Sequence, residues 1–173
     1  MRGTRLGVCV AACVAALIWT AIPAGAGAPT REPGGSTSSG SIPAGVACTF
    51  AVSINVVAGG QGQLMTFFDR DGNVVRSTNH ARPSTWVFTN LDNGKAVTLG
   101  LPAGILTLST AADGTTTVVI DGSAIGFNAP TDTPPGPFSL ENIGRLVFVI
   151  AADGNGTITQ LSGNTTDLCA AVA

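Results

Sequence analysis

Apolar residues alternate with small or polar residues in the segment 49–56. The apolar positions fall on one side of an extended chain, and the small or polar positions fall on the other. A period of two over eight residues is typical of a half-buried β-strand. In a helix, by contrast, apolar positions recur every three or four residues. The alternating apolar residues are Phe50, Val52, Ile54 and Val56.

Four Asp-Gly or Asn-Gly dipeptides interrupt the β-rich runs that follow: Asp71-Gly72, Asn93-Gly94, Asp113-Gly114 and Asp153-Gly154. Such a dipeptide accepts the positive φ angles of a type I′ turn, whose twist matches that of two antiparallel strands. The sequence therefore predicts four hairpins. They join 64–69 to 73–78, 85–91 to 95–101, 105–111 to 115–121, and 145–152 to 157–162.

The first 26 residues form a different kind of segment. Arg2 and Arg5 precede an apolar run, 8–22, which is followed by small residues ending at Ala26. This pattern is typical of a secretory signal peptide that is cleaved after Ala26. A transmembrane helix needs about 20 apolar residues and is the weaker interpretation. A lipid anchor at Cys13 is a second alternative, although the apolar run continues past that cysteine.

The rest of the chain divides into two parts. Residues 27–46 are nearly all Pro, Gly, Ser, Thr and Ala, and they contain almost nothing that could be buried in a core. This composition predicts a flexible linker. Residues 47–173 are long enough for one domain, which we expect to be a single β-domain.

Cleavage of the leader leaves two cysteines, Cys48 and Cys169. An even pair in an exported chain predicts a disulfide bond. A zinc site is disfavoured because His80 is the sole histidine. A disulfide requires Cα atoms within about 7 Å, so both ends of the strand series must lie side by side.

These constraints predict an all-β fold, an antiparallel meander of about nine strands closed as a barrel or a two-layer sandwich and tied by one disulfide. The proline-rich stretch 126–142 is predicted to be a long connection that crosses between sheets or covers an open end. The run 146–150 is apolar on both faces, which indicates a strand that is covered on both sides.

Composition and charge exclude several classes of function for this protein. Charged residues are 10% of the chain and hydrophobic residues 45%, which argues against general disorder. Cleavage after Ala26 would leave six basic and ten acidic residues, a net charge of −4. This charge gives no electrostatic basis for binding nucleic acid or anionic lipid. We expect no membrane insertion of the mature chain.

The stretches 89–97, 144–157 and 166–172 carry a resemblance to known sequences. In these stretches, the second half of the chain is similar to a group of small, uncharacterised secreted proteins of high-GC Gram-positive bacteria. The resemblance implies export and a β-rich domain. It implies no activity and transfers no catalytic residue.

Candidate chemistry is sparse. His80 lies in a polar connection without a nucleophile motif, so neither catalytic residues nor a cofactor is predicted. The run 69–73 resembles the start of a calcium loop, but its twelfth position is His80 rather than Glu. Asp121 and Glu141 flank the long connection and could meet Arg145 at one mouth of a barrel, forming a candidate polar site.

Aromatic residues suggest one further site. Trp86 and Phe88 share a strand face, so they belong either to the core or, with Leu106, to the wall of a cavity for an apolar ligand. The leading hypothesis is a secreted, non-enzymatic β-domain with a structural or binding role at or outside the cell envelope. The alternatives are a barrel that carries a small apolar ligand and a small barrel enzyme with an acidic site at one mouth.

Overall fold

The computed structural model describes residues 28–34, 39–59 and 62–173, and the predicted signal peptide lies outside them. The described residues form eleven β-strands and one short helix. The strands are β1 (Thr30–Gly34), β2 (Gly40–Ile42), β3 (Val52–Gly59), β4 (Gly62–Phe68), β5 (Val74–Ala81), β6 (Ser84–Asn90), β7 (Ala96–Leu101), β8 (Gly104–Thr110), β9 (Thr116–Asn128), β10 (Phe138–Ile150) and β11 (Gly156–Asp167). The helix α1 spans Leu168–Val172.

The strands form two antiparallel sheets, which confirms the all-β class. The large sheet has the order β1-β4-β5-β8-β9-β10-β11, and the small sheet has the order β2-β3-β6-β7. The chain passes between the sheets from β1 to β2, from β3 to β4, from β5 to β6 and from β7 to β8. In the described part of the chain, β1 and β11 lie at the two edges of the large sheet, which is therefore open.

All nine predicted strands overlap β3 to β11, and the two additional strands lie in the predicted linker. β1 pairs with β4 from Thr30↔Thr66 to Gly34↔Gly62, and β2 pairs with β3. The linker prediction was based on the absence of core-forming side chains. An edge strand needs only backbone hydrogen bonds on one side, so such a composition does not prevent pairing.

The four predicted hairpins are confirmed, but the predicted turn type is wrong. Among the described residues only glycines have positive φ, whereas a type I′ turn needs two successive residues there. At the β4–β5 turn, Gly72 N–H donates to the Asp69 carbonyl at 3.3 Å and Asp69 N–H donates to the Asn73 carbonyl at 2.9 Å. This is a type I turn followed by a glycine bulge, which keeps Asp71 out of the unfavourable left-handed region.

The main hydrophobic core lies between the small sheet and α1. Val52, Phe88, Leu168 and Val172 have no exposed surface. The strand alternation that predicted β3 explains how Val52 reaches this core. The sequence reasoning missed α1, whose first turn is capped by the Asp167 carboxylate, which accepts from Ala170 N–H at 3.0 Å.

Three glycines lie in one row across the long strands. Gly144 of β10 pairs with Gly122 of β9 and with Gly163 of β11, and all three have positive φ. A Cβ at Gly144 would collide with the Ser162 carbonyl oxygen, and a Cβ at Gly163 would collide with the Ile143 carbonyl oxygen. The backbone at this row therefore requires glycine.

The large sheet folds over at this glycine row. Leu146 pairs with Ile120, and Gly126 lies six residues further along β9, a span of about 20 Å in a straight strand. Nevertheless, Leu146 Cδ2 lies 3.6 Å from the position that a Cβ would take at Gly126. One half of the β9–β10 hairpin is thus packed over the other half, and Leu146 becomes buried.

The long connection is shorter than predicted and spans 129–137, because β9 continues to Asn128 and β10 begins at Phe138. It returns to the start of β11. Thr133 N–H donates to the Gly156 carbonyl, and the Thr133 carbonyl accepts from Ile158 N–H, both at 2.8 Å. Asp132 fixes this contact by accepting from Gly156 N–H at 2.7 Å.

Candidate functional site

The structure brings together two of the three residues of the predicted polar site. Asp121 and Arg145 face each other on β9 and β10, and Arg145 Nη1 lies 2.6 and 2.7 Å from the two carboxylate oxygens. Arg145 Nε also donates to the Gln160 side chain at 3.3 Å. The two ion-pair side chains are 43% and 50% exposed, so solvent screens their attraction.

Glu141 does not join this pair. It lies opposite Ile125, on the other side of the Gly144 bend from Arg145. The sequence placed Glu141 at the end of a connection, but it lies within β10. What the site contains is therefore a carboxylate held by a guanidinium on an exposed sheet face, rather than two facing carboxylates.

The predicted ligand-lining residues lie in different sheets. Phe88 is fully buried in the main core, and its neighbour Trp86 packs against that core. Trp86 Nε1 donates to Ser84 Oγ at 2.7 Å. Leu106 belongs to β8 of the large sheet, where it lies between Asn79 and Ile120.

Cys48 and Cys169 form a disulfide with a Cα–Cα distance of 5.7 Å. The bond joins the segment before β3 to α1, so it closes the chain around the main core. Cys48 has no exposed surface, and Ser139 of the large sheet donates to the neighbouring Ala47 carbonyl at 2.9 Å. The disulfide therefore lies where the two sheets and α1 meet.

The run that resembles a calcium loop is occupied by its own hydrogen bonds. Asp69 Oδ1 accepts from Asp71 N–H at 2.9 Å and from Asn73 N–H at 2.8 Å. The Asn73 side chain, which donates to Oδ2, is the main reason that the pKa of Asp69 is lowered. Within 28–34, 39–59 and 62–173, no group of three or more His, Cys, Asp or Glu residues is placed to hold a metal ion.

Sequence reasoning missed an arginine-lined depression beside the edge strand β1. It has a volume of about 640 Å³, and Arg31 and Arg82 both line it. Gln63, which lies between Pro33 and His80 in the register, is a third lining residue. The remaining lining residues are Glu32, Pro33 and Gly62.

The depression lies at the β1 edge of the large sheet, and its lining residues Arg31, Pro33 and Gln63 share one face of that sheet. Residues that pair directly across antiparallel strands lie on the same face, which places Gln63, His80, Asp121 and Arg145 in one row. Arg76 lies on this face with its guanidinium 4.0 Å from the centre of the Phe67 ring. We call Arg31, Gln63, Arg76, His80 and Arg82 the arginine face.

No sequence motif marks the arginine face. Arg31 and Arg82 are far apart in the sequence, and Arg31 lies in the segment predicted to be a linker. Only the pairing of β1 with β4, in which Arg31 lies opposite Met65, brings Arg31 onto the same sheet face as Gln63. A second open depression, of about 560 Å³, lies between the sheets beside Gly59, Leu101 and Ile143, and its lining includes none of Trp86, Phe88 and Leu106.

The comparisons with known proteins give no relative: no family model, no curated protein and no solved structure matches the chain. A membrane-crossing helix is also absent from the described residues, where α1 is far too short to span a bilayer. The disulfide and the exposed faces of the sheets are therefore the features of the molecule that bear on its function.

Proposed function

We propose that this protein is a secreted, non-enzymatic β-domain that acts by binding at or outside the cell envelope. The Cys48–Cys169 disulfide supports the compartment, because such a bond persists in an oxidising environment and is rare in the cytosol. The predicted signal peptide supports the same location. The exposed polar face of the large sheet supports a binding role.

The ligand that fits the arginine face is a polymer bearing carboxylate or phosphate groups. The observation that carries this proposal is that Arg31 and Arg82 line the same open depression. A guanidinium is always charged, and its planar fork of donors matches carboxylate and phosphate oxygens. An open depression on a sheet accommodates one segment of a long polymer without enclosing it.

Local charge is compatible with this ligand although the mature chain is acidic. Glu32 also lines the depression, but it pairs with Leu64 and therefore belongs to the opposite face of the sheet. Asp121 lies on the arginine face, and Arg145 already neutralises it. Within the depression, the two guanidinium groups of Arg31 and Arg82 outnumber the single carboxylate of Glu32, so an anion there would meet a net positive charge.

The two alternative functions have less support. An acidic active site would need free carboxylates, whereas Asp121 is bound by Arg145 and Glu141 lies beyond the bend. A carrier lined by Phe88 would need a cavity at that side chain, which instead has no exposed surface.

A binding experiment with charge-matched variants tests the arginine face. The mature protein is titrated with polygalacturonate, with polyphosphate and with neutral dextran. We expect saturable binding to one or both polyanions and none to dextran. Replacing both Arg31 and Arg82 by Gln should weaken binding at least about tenfold, because two charge-assisted contacts are lost.

The control replaces Arg70 and Lys95 by Gln, which changes the net charge equally at sites outside the depression. This variant should bind nearly as well as the unmodified protein. Equal weakening in both variants would mean that only net charge matters, and it would contradict the proposed site. The two polyanions distinguish carboxylate recognition from phosphate recognition.

The compartment is tested separately by mass spectrometry of the protein produced with its leader. The mature chain should start near Gly27 and should weigh two hydrogen atoms less than its reduced form. Two free thiols would contradict the disulfide. A lipid-modified start at Cys13 would contradict the assignment as a freely secreted protein.

A further inference from the structure

The outer edge of β11 is an interaction surface that the proposed function does not use. β11 is the last strand of the large sheet, and its nine residues from Thr159 to Asp167 are all exposed. Within the described chain, β10 is the only strand that pairs with this stretch. A strand edge presents unpaired N–H and C=O groups, which favour pairing with another chain.

The other described edges are protected or short. β1 carries Arg31, Glu32 and Pro33, and a proline has no N–H to offer a neighbouring strand. β2 has only three residues, and β7 lies in contact with α1. By contrast, β11 has no proline, and 159–166 contains no charged residue. Charge and proline are the usual devices against edge pairing, and the stretch 159–166 lacks both.

The beginning of the same edge already accepts backbone from another segment. The Gly156 carbonyl and the Ile158 N–H point outward and bond to Thr133 of the long connection. Outward backbone groups of β11 therefore already pair with another segment at the start of this edge. The stretch 159–167 lies beyond that contact, and its midpoint is Gly163.

We infer that two copies of this protein associate through their β11 edges, antiparallel, with Gly163 opposite Gly163. A two-fold axis through this residue maps 159–167 onto itself, so all nine exposed residues find partners. It also continues the row of Gly122, Gly144 and Gly163 into the second copy. Both large sheets then bend along one line, whereas a shifted register would place a bend against a straight strand.

The contact chemistry also favours a second copy. Direct partners at this register include Leu161 with Thr165 and Gln160 with Thr166, so no like charges face each other. Thr159 lies opposite Asp167 at each end of the pairing. A single pair of strand edges is a small interface, so the dimer is expected to be weak and dependent on concentration.

A charge-swap experiment tests both the association and its register. Sedimentation of the mature protein from about 10 μM to about 1 mM should show a monomer–dimer equilibrium. The double variant Leu161→Lys with Thr165→Lys places like charges opposite each other in both halves of the interface. Its dissociation constant should rise at least about tenfold, because facing like charges oppose association.

The matched variant Leu161→Lys with Thr165→Glu places opposite charges at the same positions and should dimerise about as well as the unmodified protein. Net charge cannot explain why the variant with two lysines is expected to dimerise more weakly than the variant with lysine and glutamate. The first variant is less acidic than the unmodified chain, so a net-charge effect alone would strengthen its association. Both positions are exposed, and circular dichroism should confirm that both variants remain folded.

Three results would overturn the proposal. A protein that stays monomeric at every concentration would show that two β11 edges do not pair, and a strand from another protein would then be the partner of this edge. A dimer that is insensitive to the two lysines would place the interface elsewhere. Equal loss of dimer in both variants would contradict the Gly163-centred register.

Discussion

The region around the main core and the outer part of the large sheet are stabilised in different ways. Phe88, Val52 and Leu168 are fully buried, and the disulfide joins the segment before β3 to α1 beside them. The last nine residues of β11 are all exposed and are held mainly by their pairing with β10. Apolar burial therefore holds one region, whereas the other depends on backbone hydrogen bonds and on the shape imposed by glycine.

Stability and binding therefore depend on different regions of the molecule. The buried region has little surface left with which to bind anything. The exposed region carries the arginine face on β1, β4 and β5 and the open edge on β11. Regions with few buried apolar contacts open more readily than a core, so amide exchange should be faster in β11 than in β6.

Truncation of the core should give the largest effect. Phe88→Ala should lower the free energy of unfolding by about 3–5 kcal/mol, because it removes a fully buried ring and leaves a cavity. The comparison is Leu161→Ala at a side chain that is 43% exposed, with an expected loss below about 1 kcal/mol. Urea unfolding measures both values. Similar losses would contradict the proposed division between the regions.

The glycine row should give the next largest effect. Gly144→Ala should destabilise by about 3 kcal/mol, because Gly144 has positive φ and a Cβ there would meet the Ser162 carbonyl oxygen. Gly100→Ala is the matched control, since a Cβ at Gly100 has nothing within 4 Å. Urea unfolding of the two variants compares them. If both changes were equally mild, the bend would not depend on glycine.

Local pattern predicted much of the fold. Alternation in β3 and the Asp-Gly turns identified nine strands and four hairpins, because both signals lie within a few residues. The positions of β1 and β2 could not be predicted in this way, since their pairing depends on partners distant in sequence. The fold-over at Gly122, Gly144 and Gly163 required the register between strands, which no single segment contains.

The candidate site, like the fold, could be predicted from the sequence only where it does not depend on the pairing of distant strands. Asp121 and Arg145 were selected for their positions in the sequence, and the β9–β10 register does pair them. Glu141 was selected by the same reasoning, but the longer strands move it out of the connection and beyond the bend. Arg31 was not selected at all, because its pairing with Met65 of β4 is a property of the folded sheet.

The exposed ion pair should contribute little to stability. A double-mutant cycle with Arg145→Gln and Asp121→Asn should give a coupling free energy of about 0.2–1 kcal/mol, because solvent screens side chains that are 43% and 50% exposed. Urea unfolding at two salt concentrations measures this term. A coupling above about 3 kcal/mol would show that the polar face is as strongly held as the core.

The smallest effect should be the pH dependence of the hairpin turns. Hydrogen bonds from Asn73 lower the pKa of Asp69, and the Thr115 N–H lowers the pKa of Asp113, both from a usual value of 3.8. A pKa that is lower in the folded state contributes stability above the unfolded pKa, and this contribution is lost as the pH falls through the folded pKa.

Acid titration of the unfolding free energy should therefore show a steeper loss for the unmodified protein than for Asp69→Asn, in the interval below 3.8. Asparagine retains an oxygen that accepts from the turn N–H groups but cannot be protonated in this range. Asp71→Asn is the control, since its carboxylate does not accept the hydrogen bonds that close this turn. Identical acid profiles for all three proteins would mean that protonation of Asp69 does not change the free energy of unfolding. The turn carboxylate would then add nothing to the stability of the exposed hairpins, and the two regions would differ in stability only through apolar burial.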